Sequence, residues 1–190
     1  MKRRGFTLVE VMMGVGLTAL LIVMALNVFT DAAASFHRTE TRDTLSTQNA
    51  LAVRRIVEQL RSAAVVEIRD SGRTIVFEQP MLSANPDPTT GEYEYVDPML
   101  GDGVQQAIYY QDRKLIFDDG SGREVVLADE VSATDPDPDS AYYNTAYPIF
   151  SNSSVGSTRG VRIMIVSSRM THRGLEYSRM STTVLLRNLL

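Results

Sequence analysis

The sequence predicts an α+β fold: one long N-terminal helix, half membrane-type and half amphipathic, packed on an antiparallel β-sheet with two long irregular loops. Three observations carry this. No proline precedes Pro80 and no glycine lies between Gly16 and Gly72, so nothing breaks a helix over the first third of the chain. Within that stretch an uncharged apolar run, Val11 to Phe29, gives way to an amphipathic period. Beyond Ala64 the pattern changes to β-branched runs separated by short turns, with no crossover helices between them, as an antiparallel meander requires.

The run from Val11 to Phe29 spans about 28 Å as a helix, close to the thickness of a bilayer's hydrocarbon core. Lys2, Arg3 and Arg4 precede it, and the positive-inside bias places that end in the cytoplasm and the bulk of the chain beyond the membrane. Glu10 stands at the mouth of the span, where a carboxylate calls for a partner. Gly14 and Gly16 suit close packing of helices in the membrane better than a hinge. Two plainer readings are a single-pass anchor and a secretory signal peptide cut near Ala32-Ala33-Ala34. The apolar run is long for a signal peptide, Glu10 and Asp31 are poorly placed for one, and Gly5 before Phe6 would have no purpose in it.

In the second half of the helix, Leu45, Ala52, Val53, Ile56, Leu60 and Ala63 recur at helical spacing and form one core-facing stripe. Arg38, Arg42, Asp43, Arg54, Arg55, Glu58 and Arg61 make the solvated face, where Arg54 and Glu58 are four apart and able to pair. A helix from Thr7 to Ala63 is about 85 Å long, more than a globular domain uses.

Strands are expected at Ala64 to Asp70 and Arg73 to Glu78 around Ser71-Gly72, and at Ala107 to Gln111 and Lys114 to Phe117 around Asp112-Arg113. Glu124 to Val131 follows, and Val161 to Ser168 and Glu176 to Arg187 close the sheet. Two stretches, Gln79 to Gln106 and Ser132 to Gly160, are too long to be mere connectors. They carry Tyr93 and Tyr95, and Tyr142, Tyr143 and Tyr147, which either form partner surfaces or fold back on the sheet.

Composition excludes several functions. With no cysteine there is neither a disulfide nor a thiol site, although the compartment permits disulfides. His37 and His172 are isolated, and no phosphate loop or nucleophile elbow is present, so an enzyme is not expected. Asp135, Asp137 and Asp139 offer a weak calcium candidate, because an EF-hand loop would want a glycine and a glutamate where Ser140 and Ala146 stand. No other metal and no cofactor is expected. From Glu78 to Asp139 there are 15 acids against 3 bases, whereas Arg159 to Leu190 holds 6 arginines and one acid, Glu176. The two stretches either neutralise each other within one subunit or orient neighbouring subunits.

The stretch Arg3-Arg4-Gly5-Phe6-Thr7-Leu8-Val9-Glu10 resembles the N-terminal signal of type IV prepilins and of the pseudopilins of type II secretion: a basic leader, Gly, an aromatic, Thr-Leu, and Glu fifth from the cut. The resemblance implies a pilin-like fold, cleavage between Gly5 and Phe6 by prepilin peptidase, and N-methylation of Phe6. It also implies that Glu10 meets the N-terminal amine of a neighbouring pilin or minor pilin subunit. Residues 1–5 are then a cleaved leader, 6–29 the transmembrane assembly segment, and 30–190 an extracytoplasmic domain. The protein would sit in the inner membrane, N-terminus cytoplasmic and C-terminal domain periplasmic, before joining a pilus or pseudopilus.

The chain departs from many relatives in lacking a C-terminal disulfide loop and a proline in the apolar half of the helix, so no kink is expected there. Its ending, Ser181-Thr182-Thr183-Val184-Leu185-Leu186-Arg187-Asn188-Leu189, is similar to that of PilW-type minor pilins, which implies a role in pilus initiation or at the tip. The alternatives are a GspJ-like minor pseudopilin and a tip adhesin whose tyrosine-bearing loops bind a surface. Nucleic acid is not an expected partner: loss of Lys2, Arg3 and Arg4 on cleavage moves the net charge from −4 to −7.

Overall fold

The computed structural model describes residues 7–83, 90, 95–155, 158–172 and 174–186, and the chain divides into two compact units, one ending at Thr41 and one beginning at Arg42. Helix α1, Leu8–Ser62, is a single 55-residue element that passes through this boundary. It runs unbroken through Gly14, Gly16 and Asn27, as the absence of proline predicts.

Among the described residues ten strands follow: β1 (Val65–Arg69), β2 (Thr74–Glu78), β3 (Pro80–Leu82), β4 (Tyr95–Gly101), β5 (Gln106–Gln111), β6 (Lys114–Asp118), β7 (Glu124–Ala128), β8 (Phe150–Val155), β9 (Thr158–Thr171) and β10 (Gly174–Leu185). They form three antiparallel sheets, of order β1-β2-β5-β6-β7, β10-β9-β8 and β3-β4. The expected meander is thus divided. Neither long stretch is wholly irregular, since the first holds the β3–β4 ladder and the second holds β8.

Alternation explains how the five-stranded sheet meets α1. Ile68, Ile75, Ile108, Phe117 and Val125 are successive cross-strand partners, so one row of apolar side chains crosses the whole sheet on a single face. Against this face α1 lays Ala52, Val53, Ile56, Leu60 and Ala63, all buried, and the rings of Phe77 and Phe117 stack with centroids 6.3 Å apart. Arg55, Glu58 and Gln59 rim the open side of the groove at Phe117, Val125 and Leu127. The two turns at Ser71-Gly72 and Asp112-Arg113 form where expected. Gly72 has φ +86°, and a Cβ there would collide with the Phe150 carbonyl oxygen; Asp112 and Arg113 both adopt positive φ, as a two-residue hairpin turn demands.

On the three-stranded sheet, α1 is held by a polar contact inside the apolar stripe. Asn49 is fully buried; its Nδ2 donates to the Ser178 carbonyl (3.2 Å) and its Oδ1 accepts from the Ser167 hydroxyl (2.7 Å). Asn49 therefore ties the helix to β9 and β10 together. No glycine ends α1: Ser62 and Gln79 do so instead, the Ser62 hydroxyl donating to Gln79 Oε1 (2.9 Å) and Gln79 Nε2 to the Gln59 carbonyl (3.3 Å).

The stretch between β7 and β8 is pinned to the edge of β9 rather than free. The Ser132 N–H donates to the Val166 carbonyl (2.7 Å), and the Val166 N–H donates to the Tyr147 hydroxyl oxygen (3.1 Å). Tyr147 Oη donates back to the Val166 carbonyl (3.3 Å), so a side chain occupies a slot that a strand would otherwise fill. Burial pushes the Tyr147 phenol well above its ordinary value. A raised folded-state value leaves stability intact below pH 10 and removes it as pH climbs above the unfolded value. Tyr147→Phe is expected to lower stability by about 1–3 kcal/mol at neutral pH, by orphaning the Val166 N–H, and to weaken the alkaline loss of stability; denaturant melts at pH 7 and pH 10.5 check both.

Candidate assembly site

The first helical turn is built by its own sequence. Thr7 precedes α1 and Glu10 is the third residue inside it, the spacing of a capping box. The Thr7 N–H and hydroxyl both donate to Glu10 Oε2, at 3.0 and 3.1 Å, and the Glu10 N–H donates to Thr7 Oγ1 at 3.3 Å. Negative charge in this turn also suits the helix dipole. Beyond being a charge in need of a partner, Glu10 is a cap. One of its oxygens is in fact engaged within the chain, while Oε1 has no partner among the described residues. Gly5 and Phe6, the expected cleavage and methylation positions, lie outside the described residues.

Behind the cap, Val11 to Phe29 makes no core. Leu8, Met12, Leu17, Leu21, Leu26 and Phe29 are all more than half exposed, and the most apolar 18-residue window of α1 has mean hydropathy 2.3 with none of it buried. Such a surface on a single helix is stable only against lipid or other apolar helices. A Cβ built on Gly14 or Gly16 meets nothing, so both positions are open to close approach by a neighbouring helix. Ala32-Ala33-Ala34, the position considered for signal-peptide cleavage, lies within α1.

The other expected sites separate into distinct outcomes. Asp135, Asp137 and Asp139 do not converge, and no group of three or more His, Asp or Glu able to hold a metal ion exists among the described residues. Arg179 takes the cation's place instead, with Nη1 3.6 Å from buried Asp135 Oδ2 and 3.5 Å from Asp137 Oδ2. The tyrosines divide: Tyr147 folds back and is buried, whereas Tyr142 and Tyr143 are 37% and 49% exposed. Tyr93 and the side chain of Tyr95 lie outside the described residues.

The opposing charges partly meet within the subunit. Arg169 Nε donates to both Glu130 oxygens at 2.9 and 2.8 Å, and Arg179 faces Asp135 and Asp137. His37 lies 3.7 Å from Glu40 on the exposed helix and His172 is an exposed turn residue, so the two histidines share no site.

Residues 1–26 match the family model described as a prokaryotic N-terminal methylation motif. No curated protein and no solved structure matches the chain significantly. The matched residues include the basic leader, the Gly5-Phe6 junction, the Thr7–Glu10 cap and most of the unburied apolar helix, a combination that points to a structural subunit and not an enzyme. The N-terminal segment of this chain therefore carries a methylation motif that supports a type IV pilin-like prepilin.

Proposed function

We propose that the chain is a minor pilin that helps initiate a type IV pilus or sits at its tip, processed by prepilin peptidase between Gly5 and Phe6 and anchored by Val11 to Phe29 with its C-terminal domain in the periplasm. The observation that carries the proposal is Glu10: a carboxylate half-satisfied by Thr7, at the head of a helix whose most apolar window is not buried by any of the described residues.

The capping box sharpens how the assembly contact works. Thr7 occupies Oε2, and Oε1 is left for a cation. Cleavage before Phe6 creates an ammonium, which on a neighbouring subunit supplies that cation. In a low-dielectric bundle the pair is strong and directional, and it fixes the axial stagger between adjacent helices. Within one chain the cap also limits the cost of keeping an acid at the membrane edge before assembly. The two contacts are compatible, because they use different oxygens.

The minor-pilin reading rests on the PilW-like ending, of which Ser181 to Leu185 lies in β10 and Arg187 to Leu189 lies outside the described residues. It is tested by deleting the gene and counting surface fibres while quantifying the chain in sheared fibres. Far fewer fibres on loss, with the chain far below stoichiometric in fibres when present, supports the reading. Normal fibre numbers together with lost protein secretion would shift it to a minor pseudopilin.

A further inference from the structure

β10 is the outer strand of the three-stranded sheet, and its 12 residues stay in unbroken register with β9. The Leu186 N–H donates to the Arg159 carbonyl (3.1 Å). Along this ladder the even-numbered residues of β10 therefore bond to β9, and the odd-numbered ones turn their N–H and carbonyl groups outward. At Arg179, Ser181, Thr183 and Leu185 those outward groups have no partner among the described residues, and all four residues are exposed. A bare edge is normally blunted by shortness, a bulge, a proline or a lysine. β7, the outer strand of the five-stranded sheet, has 5 residues and a register shift in its ladder, whereas β10 has none of these devices.

What the edge can bind follows from its chemistry. Donors and acceptors that recur along about 20 Å of strand are satisfied together only by another extended backbone. Beside the edge an open groove of about 780 Å³ is lined by Val57 and Arg61 of α1 and by Thr182 to Leu186. Val57 and Val184 make it partly apolar, while Arg61 is exposed and has no ion-pair partner among the described residues. Side chains of an added strand alternate, so one row lies in this groove, where apolar residues suit Val57 and a carboxylate suits Arg61. The other row lies on the face of Ser181 and Thr183 and is polar.

We propose that β10 accepts an added strand: an extended segment of about seven residues from a different protein, apolar at alternate positions and acidic beside Arg61, pairs with the Arg179–Leu185 edge and extends the sheet. A second copy supplies no such segment. Its β10 has no acid between Ser178 and Leu185, and its β7, though acidic at Glu124, is short and shifted in register. The inference rests on the folded domain and not on the pilus reading.

The test uses the full-length chain in its native membrane, in living cells, with the photo-reactive residue p-benzoylphenylalanine in place of Ser181, Thr183 or Leu185. Irradiation is expected to join all three positions to one protein, at sites two residues apart along a single segment. That spacing, and not capture by itself, is the supporting result. Thr183→Pro removes an N–H that β9 does not use, so the purified chain should melt within about 4 °C of the parent while the yield from Leu185 falls about tenfold. Arg61→Glu, which lies outside both ladders, should lower that yield about fivefold. Absence of an adduct, sites without the two-residue spacing, joining to a second copy, or yields indifferent to both substitutions overturns the proposal.

Discussion

Glu10→Gln is expected to insert in the membrane and to be cleaved, yet to enter fibres or their initiating complex about a hundredfold less than the parent chain. The amide retains an oxygen at the place of Oε2, so the Thr7 N–H and hydroxyl keep their acceptor and the first turn of α1 stays capped. What is lost is the charge that the neighbouring ammonium needs, and an ammonium left without its counter-ion in an apolar bundle is strongly disfavoured. Thr7→Val separates the two roles. It removes the hydroxyl contacts at 3.1 and 3.3 Å, loosens the cap, and leaves the carboxylate for the neighbour, so its assembly defect should be much the smaller. The ratio of chain in sheared fibres to cleaved chain in membranes measures both variants. Equal defects would mean that capping, not the intersubunit contact, is what Glu10 contributes.

The second large effect concerns the folded domain. Asn49→Ala is expected to lower stability by about 2–4 kcal/mol, because it opens a cavity in a fully buried position and leaves the buried Ser167 hydroxyl without its acceptor. For a unit of this size that corresponds to a fall in melting temperature of roughly 5–12 °C. Ser167→Ala should cost less. Because Asn49 and Ser167 share one hydrogen bond of 2.7 Å, the double variant should be more stable than the two separate losses imply. Additive losses would show that the contact does not couple helix to sheet.

Asn49 also shows where sequence reading stopped short. The apolar stripe on α1 was legible because its members recur at helical spacing, and every one of them is buried. Asn49 stands in the same stripe between Leu45 and Ala52. A polar residue on a core-facing position signals a buried hydrogen bond, but its partners are more than a hundred residues away and only tertiary structure brings them in. The Thr7 cap is the opposite case: Thr-x-x-Glu is a local pattern complete within four residues, yet the sequence expectations for Glu10 name only an external partner.

The strands divide in the same way. β2, β5 and β6 are bounded by turn residues and rich in β-branched or aromatic side chains, and their expected limits differ from the observed ones by at most one residue. β8, with the composition Phe-Ser-Asn-Ser-Ser-Val, has little intrinsic strand preference and exists because β9 offers it a backbone edge. The three tyrosines of the loop before it look alike in sequence. Tyr147 differs from Tyr142 and Tyr143 in being buried, with the Val166 backbone within reach of its hydroxyl. The acidic triplet likewise reads as a cation site until Arg179, more than 40 residues away, is seen to fill it.

Processing at the N-terminus tests the central claim most directly, because the partner assigned to Glu10 exists only if the leader is removed. Intact-mass and peptide mass spectrometry of the membrane-extracted protein should find a chain that begins at Phe6 with a methylated amine. A chain that begins at Ser35, or one that retains Lys2, Arg3 and Arg4, would contradict the account.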